Sequence, residues 1–555
     1  MKLRALLFLT IFLLLDLTIN AQNKIKKQQF DIVIYGATSA GISAAIQAAR
    51  MNNSVLIIEP SNRIGGQTTG GLGQTDIGSK HAIGGISKEF YQNIKKYYSN
   101  SENWKWQDKS DYKPSHSHRS GNEDTMWTFE PSTAHKVYQA MLKSDRITIH
   151  FKQRLNRKNG VKKMNGKIMT ITMESGKTYH GKMFIDASYE GDLMAAAKIG
   201  YRTGREANSV YGEKLNGVQT GRTGKSLKGH KSNLSEAHNF VNGVDPYIVK
   251  GDPKSGALPY ININSPGIVG ESDKKIQAYA FRMCLTKQPD NKIPFDKPVN
   301  YKELNYELLF RNFENGYDHI PWSNNKLPNN KTDTNNRGGF STDFIGQNYD
   351  YPEASYIERE KIMENHLNYQ KGLMWTLANH KRVPQKIREE VSKWGTCKDE
   401  FEREDGWPQQ LYIREARRMV SAIVMTEKHC EGIEKVNDGI GLAAYTMDSH
   451  HVQRYITQLG HVFNEGNVEA TVYKPFPISY RSIIPKKSEC TNLLVPVCLS
   501  ASHIAFASIR MEPVFMILGQ SAATAASIAI KSNKILQDID YSILKNRLIK
   551  DHQKL

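Results

Sequence analysis

A chain of 555 residues is too long for one simple core and points to two or three domains. Its 39% hydrophobic and 9% aromatic content, with no low-complexity tract and no fixed-period repeat, excludes a disordered or fibrous chain. The net charge of +19 is dispersed rather than packed into a tail, so it reads either as a plain cationic surface or as one that steers an anionic ligand.

Residues 1–21 stand apart from the rest. Lys2 and Arg4 form a basic start, Ala5–Leu15 is an apolar run of secretory length, and Asn20-Ala21 offers a cleavage point before Gln22. The run is short for a membrane span and is interrupted by Asp16. The expectation is a cleaved signal peptide, a periplasmic or secreted protein and no stable membrane span. With no twin-arginine pair, export would be of the unfolded chain, with any cofactor bound afterwards. The five cysteines, Cys284, Cys397, Cys430, Cys490 and Cys498, include no C-x-x-C pair. That excludes an iron–sulfur ligand set or redox dithiol of that type and argues against a disulfide scaffold, leaving one or two bridges open.

Asp31–Tyr35 is a β-branched run of the kind that forms a buried parallel strand. Gly36 comes next, able to make a tight turn, and Gly41 lets a helix lie close to the strand. Thr38 stands where G-x-G-x-x-G would have its second glycine; its hydroxyl, or that of Ser39, would add a hydrogen bond to a pyrophosphate held at Ala40 and Gly41. Ile42, Ala45, Ile46 and Ala49 then mark one helix face, whose free N-terminal N–H groups suit phosphate. Val55–Ile58 is the second strand, and Glu59 at its end is placed for ribose hydroxyls. Strand, turn, helix, strand and acid together make a dinucleotide unit. The segment after Glu59 selects FAD over NAD: Pro60 and Arg63-Ile64-Gly65-Gly66-Gln67-Thr68 resemble the R-x-G-G segment of flavoproteins. No second nucleotide fingerprint occurs, so a tightly bound nicotinamide is not expected.

Farther along, Ile86–Tyr98 and Glu130–Lys143 read as helices, and residues 99–125 as a polar excursion in which His116 and His118 are weak metal candidates; no metal site is expected. Ile147–Leu155 reads as a strand, and Lys167–Met173 with Lys177–Ile185 as a hairpin leading into Asp186-Ala187-Ser188, small residues that would pass close to the cofactor. Between 200 and 430, Lys275–Thr286 alternates like a strand and 324–339 reads as a long polar loop. Tyr356–His380 and Gln409–His429 read as helices, with Arg414, Arg417 and Arg418 on one face of the second, either solvated or clamping an anion. Asn492–Ser502 reads as a buried strand. Arg510-Met511-Glu512-Pro513 then opens a helix that runs through Gln520 and Ser521, its N-terminus suited to a flavin that becomes anionic on reduction.

Asp31–Gln67, FIDASYEGDLMAAA (184–197), LYIREARRM (411–419), MDSH (447–450) and SIRMEPVFMILGQSAATAA (508–526) together resemble the exported bacterial FAD-dependent oxidoreductase family. That resemblance implies an α/β fold with a discontinuous Rossmann-like FAD-binding domain of the glutathione-reductase type: a parallel sheet with helices and a β-meander, plus an α+β cap. The expected division is signal peptide 1–21, first FAD part 29–200, substrate or cap region 201–430, FAD return 431–535 and tail 536–555. The expected chemistry is hydride transfer to flavin N5 from a polar substrate, foremost a sugar hydroxyl, with His450 or His503 as base and Arg481 and Arg510 orienting substrate. Alternatives are a C=C reductase or desaturase with an arginine as proton donor, and a glycan-binding protein that retains flavin without turnover. Expected partners are a small molecule or oligosaccharide, anionic ones included, and an electron acceptor that the sequence does not identify; nucleic acid does not suit an exported flavoprotein.

Overall fold

The computed structural model describes residues 29–114, 123–220 and 238–555. The signal-peptide reading and the pair His116 and His118 lie outside those residues. Parallel strands β1 (Gln29–Tyr35), β2 (Val55–Ile58), β3 (Ile147–His150) and β6 (Thr178–Asp186) form the centre of the main sheet in the order β3-β2-β1-β6. The antiparallel pair β4 (Val161–Met164) and β5 (Lys167–Thr172) extends it beyond β6, and Leu493–Leu494 pairs with β6 in parallel. Strands covered on both faces must be apolar throughout, which is why β2 and the Ile32–Tyr35 part of β1 lack polar alternation. The register sets Tyr35 beside both Ile58 and Asp186. Gly36, Glu59 and Ala187 therefore leave the sheet side by side at one edge.

Helix α1 (Ser39–Arg50) is buried between this sheet and the long C-terminal helix. Helices α2 (Gly85–Tyr97), α3 (Pro131–Met141), α4 (Tyr356–Asn379), α5 (His503–Ile509), α6 (Glu512–Ser532) and α7 (Tyr541–Lys550) come later in the chain. By length and composition α6 is apolar enough to cross a membrane, but here it is the core helix packed on α1. A Cβ on Gly519 would come within 2.1 Å of the Ala40 carbonyl oxygen, so only glycine permits this approach. Residues 536–555, read as a tail, form α7 and fold back: the Gly85 N–H donates to the His552 carbonyl and Gln47 Nε2 to Asp551.

A second sheet is built from residues 283–397. Its order is Trp322–Leu327, Lys331–Asn336, Met283–Thr286, Gly395–Cys397 and Lys292–Ile293, and its core is shared with α4. Four sequence expectations need correction here. Residues 324–339 are mostly a β-hairpin, not a loop, turning at Asn329 and Asn330, both with left-handed φ. Their polarity serves buried ion pairs: Lys331 meets Glu130, Asp399 and Glu400, and Asp333 meets Arg282. Gln409–His429 is extended, with only Glu427–Cys430 helical. Arg414, Arg417 and Arg418 are all buried and pair in different directions, with Asp343, with Asp192 and Glu353, and with Glu206 and Glu415. One helix face would point all three the same way. Finally, of Lys275–Thr286 only Met283–Thr286 is strand, and of Asn492–Ser502 only Leu493–Leu494. All five cysteines are buried and unbridged.

Candidate active site

The site begins at the sheet edge. Gly36 has φ +99°, and a Cβ there would lie 2.9 Å from the Ser188 nitrogen. A side chain is excluded both by conformation and by the passing strand exit at Ala187 and Ser188. Gly41 is constrained by space alone, since its Cβ would fall 2.0 Å from the Gly36 oxygen. Thr38 caps α1. Its Oγ1 accepts from the Gly41 N–H at 3.3 Å and donates to the Ala187 carbonyl at 2.7 Å. The departure from G-x-G-x-x-G is thus a tie between turn and strand exit, and the Thr38 proton is already committed there.

Glu59 accepts from the Ala37 N–H (2.7 Å) and the Ser61 N–H (2.8 Å). Burial raises its pKa, and these two donors and the Ser61 hydroxyl partly offset that. A carboxylate has about four lone-pair sites, so acceptor capacity is left for ribose hydroxyls. Gly36, Thr38, Glu59, Pro60, Arg63, Gly66 and Ser188 all line one open cleft. Ser39, Ala40 and Gly41 form the first turn of α1 beside it, and no described residue accepts from the N–H groups of Thr38, Ser39 and Ala40. Gly65, at φ +98°, starts the single helical turn Gly66–Thr69. These residues fit FAD: a glycine turn that no Cβ can enter, free N–H groups at a helix start, and an acid at the end of β2.

Toward the C-terminal return, Glu512 opens α6 after Met511. Its carboxylate accepts from Thr68 Oγ1 (2.7 Å) and the Tyr189 hydroxyl (2.9 Å), while Tyr189 accepts from the Gln67 N–H. Segments far apart in sequence thus meet at one buried acid, whose pKa burial raises. Gln520 and Ser521 are not part of this. Gln520 accepts from the Ile86 N–H and Ser521 donates to the Ile440 carbonyl, both as helix packing away from the cleft.

Beyond Glu512 lies a buried polar cluster. Arg510 Nη2 donates to the Asp448 carbonyl (2.9 Å) and sits 3.7 Å from its carboxylate. His450 Nδ1 pairs with Asp343 at 2.8 Å, and His450 Nε2 lies 3.7 Å from Asp448. Asp343 also pairs with Arg414 at 2.9 Å. Tyr412 lies under the guanidiniums of Arg282 and Arg414, and Arg282 is bidentate to Asp333. Burial acts to raise Asp343, but Arg414 and His450 outweigh it and hold the carboxyl at about 2. Asp448 is lowered in the same way, with His450, Arg510 and Arg414 overcoming burial. Burial, with Arg510 and Arg282 nearby, lowers Arg414 against the pull of Asp343. This is a histidine between two ionised aspartates in a setting rich in guanidinium.

The other two expected site residues fall elsewhere. His503, the first residue of α5, is buried, with Nδ1 on Glu415 (2.7 Å) and Nε2 on Ser449 (3.0 Å). That pair braces the strand carrying Asp448. Arg481 is half-exposed and pairs with Asp438 at 2.9 Å; the structure does not bring it to the cluster. Sequence reasoning does not single out Asp343, Asp448, Arg282 or Tyr412. MDSH contains Asp448, but only the fold shows Asp343 opposite His450.

Fold and site together define a flavin-dependent redox enzyme. Residues 31–548 match the family model for FAD dependent oxidoreductase, and the chain belongs to that family. It is an FAD-dependent oxidoreductase. No curated protein matches the chain. Among solved structures it is similar to T. acidophilum thioredoxin reductase, at 22% identity over 28% of this chain and 34% of that one, with TM-score 0.16. It is also similar to L-amino acid deaminase from Proteus vulgaris (17% identity, 33% of this chain and 53% of that one, TM-score 0.24) and to Thermovibrio ammonificans THI4 (15%, 38% and 78%, TM-score 0.23). The chain thus spans only part of each.

Proposed function

We propose that this enzyme is an exported dehydrogenase or oxidase, with a glutathione-reductase-type arrangement, acting on a hydroxyl-bearing carbon of a polar substrate, foremost a sugar. The observation that carries this reading is the Asp343–His450 pair, 2.8 Å apart, in one cluster with Arg510, which immediately precedes the N-terminal end of α6. FAD, when bound, supplies the acceptor for the hydride at N5. The rest is the work of the chain. Asp343 orients the His450 ring through Nδ1, and with the ring neutral Nε2, 3.7 Å from Asp448, is the atom that takes the hydroxyl proton as the C–H bond breaks. Nε of Arg414 and of Arg510 are buried without an acceptor among the described residues, and they are donors for substrate oxygens. Sugars carrying carboxylate or sulfate fit such donors best, as does the +19 net charge.

Anaerobic mixing with a panel of neutral, uronic and sulfated sugars tests this: one of them should bleach the flavin band, and His450→Ala should slow that bleaching while FAD stays bound. A second reading rests on the same buried Arg510 Nε, as proton donor to a C=C bond. Reoxidation of the reduced enzyme by an alkene, with no sugar able to reduce it, would favour that reading instead.

A further inference from the structure

The cleft at Glu59 is also lined by a different region of the chain. Tyr356, Arg359, Glu360 and Met363, all on the first two turns of α4, line it together with Glu59, Pro60 and Ser61. Glu59 marks where ribose is held, so this part of the cleft takes the adenosine half of FAD. We infer that α4 is a wall of the adenosine site, and that FAD is held between the nucleotide unit and the inserted region rather than by the nucleotide unit alone.

The start of α4 is fixed there by more than packing. Ser355 and Glu358 form a reciprocal capping box, which sets where the first turn begins. Arg359 is buried and bidentate to Asp192, with Nη1 to Oδ2 at 2.7 Å and Nη2 to Oδ1 at 3.0 Å; it also donates to the Tyr351 and Pro352 carbonyls. The Tyr356 hydroxyl donates to the Leu155 carbonyl at 3.1 Å and lies 3.2 Å from the Tyr35 hydroxyl. Asp192 lies just past the strand exit that carries Ala187 and Ser188. Arg157 and Arg417 pair with it too, so one carboxylate gathers three guanidiniums at the cleft. Burial acts to raise Asp192, but Arg359 foremost holds it at about 2, which keeps it charged. Docking of α4 and occupancy by FAD therefore stabilise one another: a ligand filling this cleft opposes undocking of α4, and α4 must give way before adenosine leaves.

Met363 is the residue to test, because it is half-buried, lies on the cleft and makes none of the ion pairs. The holoenzyme is diluted and FAD release is followed by the rise of free-flavin fluorescence. Met363→Trp fills the cleft and should speed release by about ten-fold, which is about 1.4 kcal/mol. The thermal midpoint measured after release should stay within about 2 °C of wild type. Ile357→Trp, on an exposed part of the same helix, is the control and should release FAD at the wild-type rate. Arg359→Lys keeps the charge but loses the fork to Asp192, and should also speed release. If Met363→Trp does not fold, Met363→Ala widens the same wall and should release FAD several-fold faster. The inference is overturned if the Met363 variant that folds releases FAD within about two-fold of wild type, or if Ile357→Trp speeds release equally.

Discussion

The two ends of the site are built by different means. At the nucleotide end the geometry is mostly backbone: Gly36 at φ +99° and free N–H groups at the start of α1, with the single Glu59 carboxylate beside them, all supplied by residues 31–67 and one strand exit. At the far end, side chains are gathered: Arg282, Asp343, Arg414, His450 and Arg510 come from five separate segments, with Asp343 pairing Arg414 and His450, Asp448 holding Arg510, and Tyr412 lying under both Arg282 and Arg414. A backbone site is local and tolerates few substitutions at its turns. A side-chain site depends on mutual neutralisation, because each buried charge is costly without its partner.

If that contrast holds, the largest effect should come from His450→Ala. Loss of a positioned general base should slow flavin reduction by about 10²- to 10⁴-fold with FAD still bound, read by anaerobic stopped-flow absorbance. His503→Ala should keep FAD too and act mainly on stability, since His503 braces Ser449 and Glu415. Gly36→Val comes next. Strain at positive φ and a clash with the Ser188 nitrogen should cost about 3 kcal/mol or more, seen as loss of bound FAD and a lower thermal midpoint.

His366 tests the packing around α4 through pH. Burial lowers its pKa to about 4 from an ordinary value near 6.5. A depressed folded value means that the neutral ring stabilises the fold at pH above 6.5, and that this stability is lost as pH falls toward 4. His366→Leu should flatten that acid limb by up to about 3 kcal/mol, measured by denaturant unfolding between pH 7 and 4. Thr38→Val removes a cap and its link to Ala187, and should cost about 1–2 kcal/mol without abolishing FAD binding. Arg481→Ala should change stability by less than about 0.5 kcal/mol and leave flavin reduction unaltered, since its pair with Asp438 is half-exposed.

The same contrast explains what is legible in the sequence. Gly36, Gly41, Glu59 and Gly65-Gly66 are readable because the chemistry needs those residue types at those spacings, whatever surrounds them. The helix at Glu512 is readable from Pro513 and a run of small apolar residues. The polar segments mislead because polarity is ordinarily a sign of solvent. In the hairpin at 322–336 and the extended run at 411–419, Lys331, Arg414, Arg417 and Arg418 are polar because they pair with buried acids from other elements, and Asp333 because it pairs with the buried Arg282. Nothing local to Asp343 announces that it faces His450. Arg481 misleads for the converse reason: its neighbours in sequence are buried, but its own side chain is not.

The central claim is that His450, held by Asp343, removes a proton from a polar substrate as the flavin is reduced. Anaerobic bleaching of the flavin band by a panel of neutral, uronic and sulfated sugars, run on wild type and on His450→Ala side by side, tests it most directly. The account predicts that at least one sugar bleaches the wild type and that the variant, with FAD still bound, is slowed about a hundred-fold or more. A variant that bleaches at the wild-type rate, or a wild type that no sugar reduces, would contradict it.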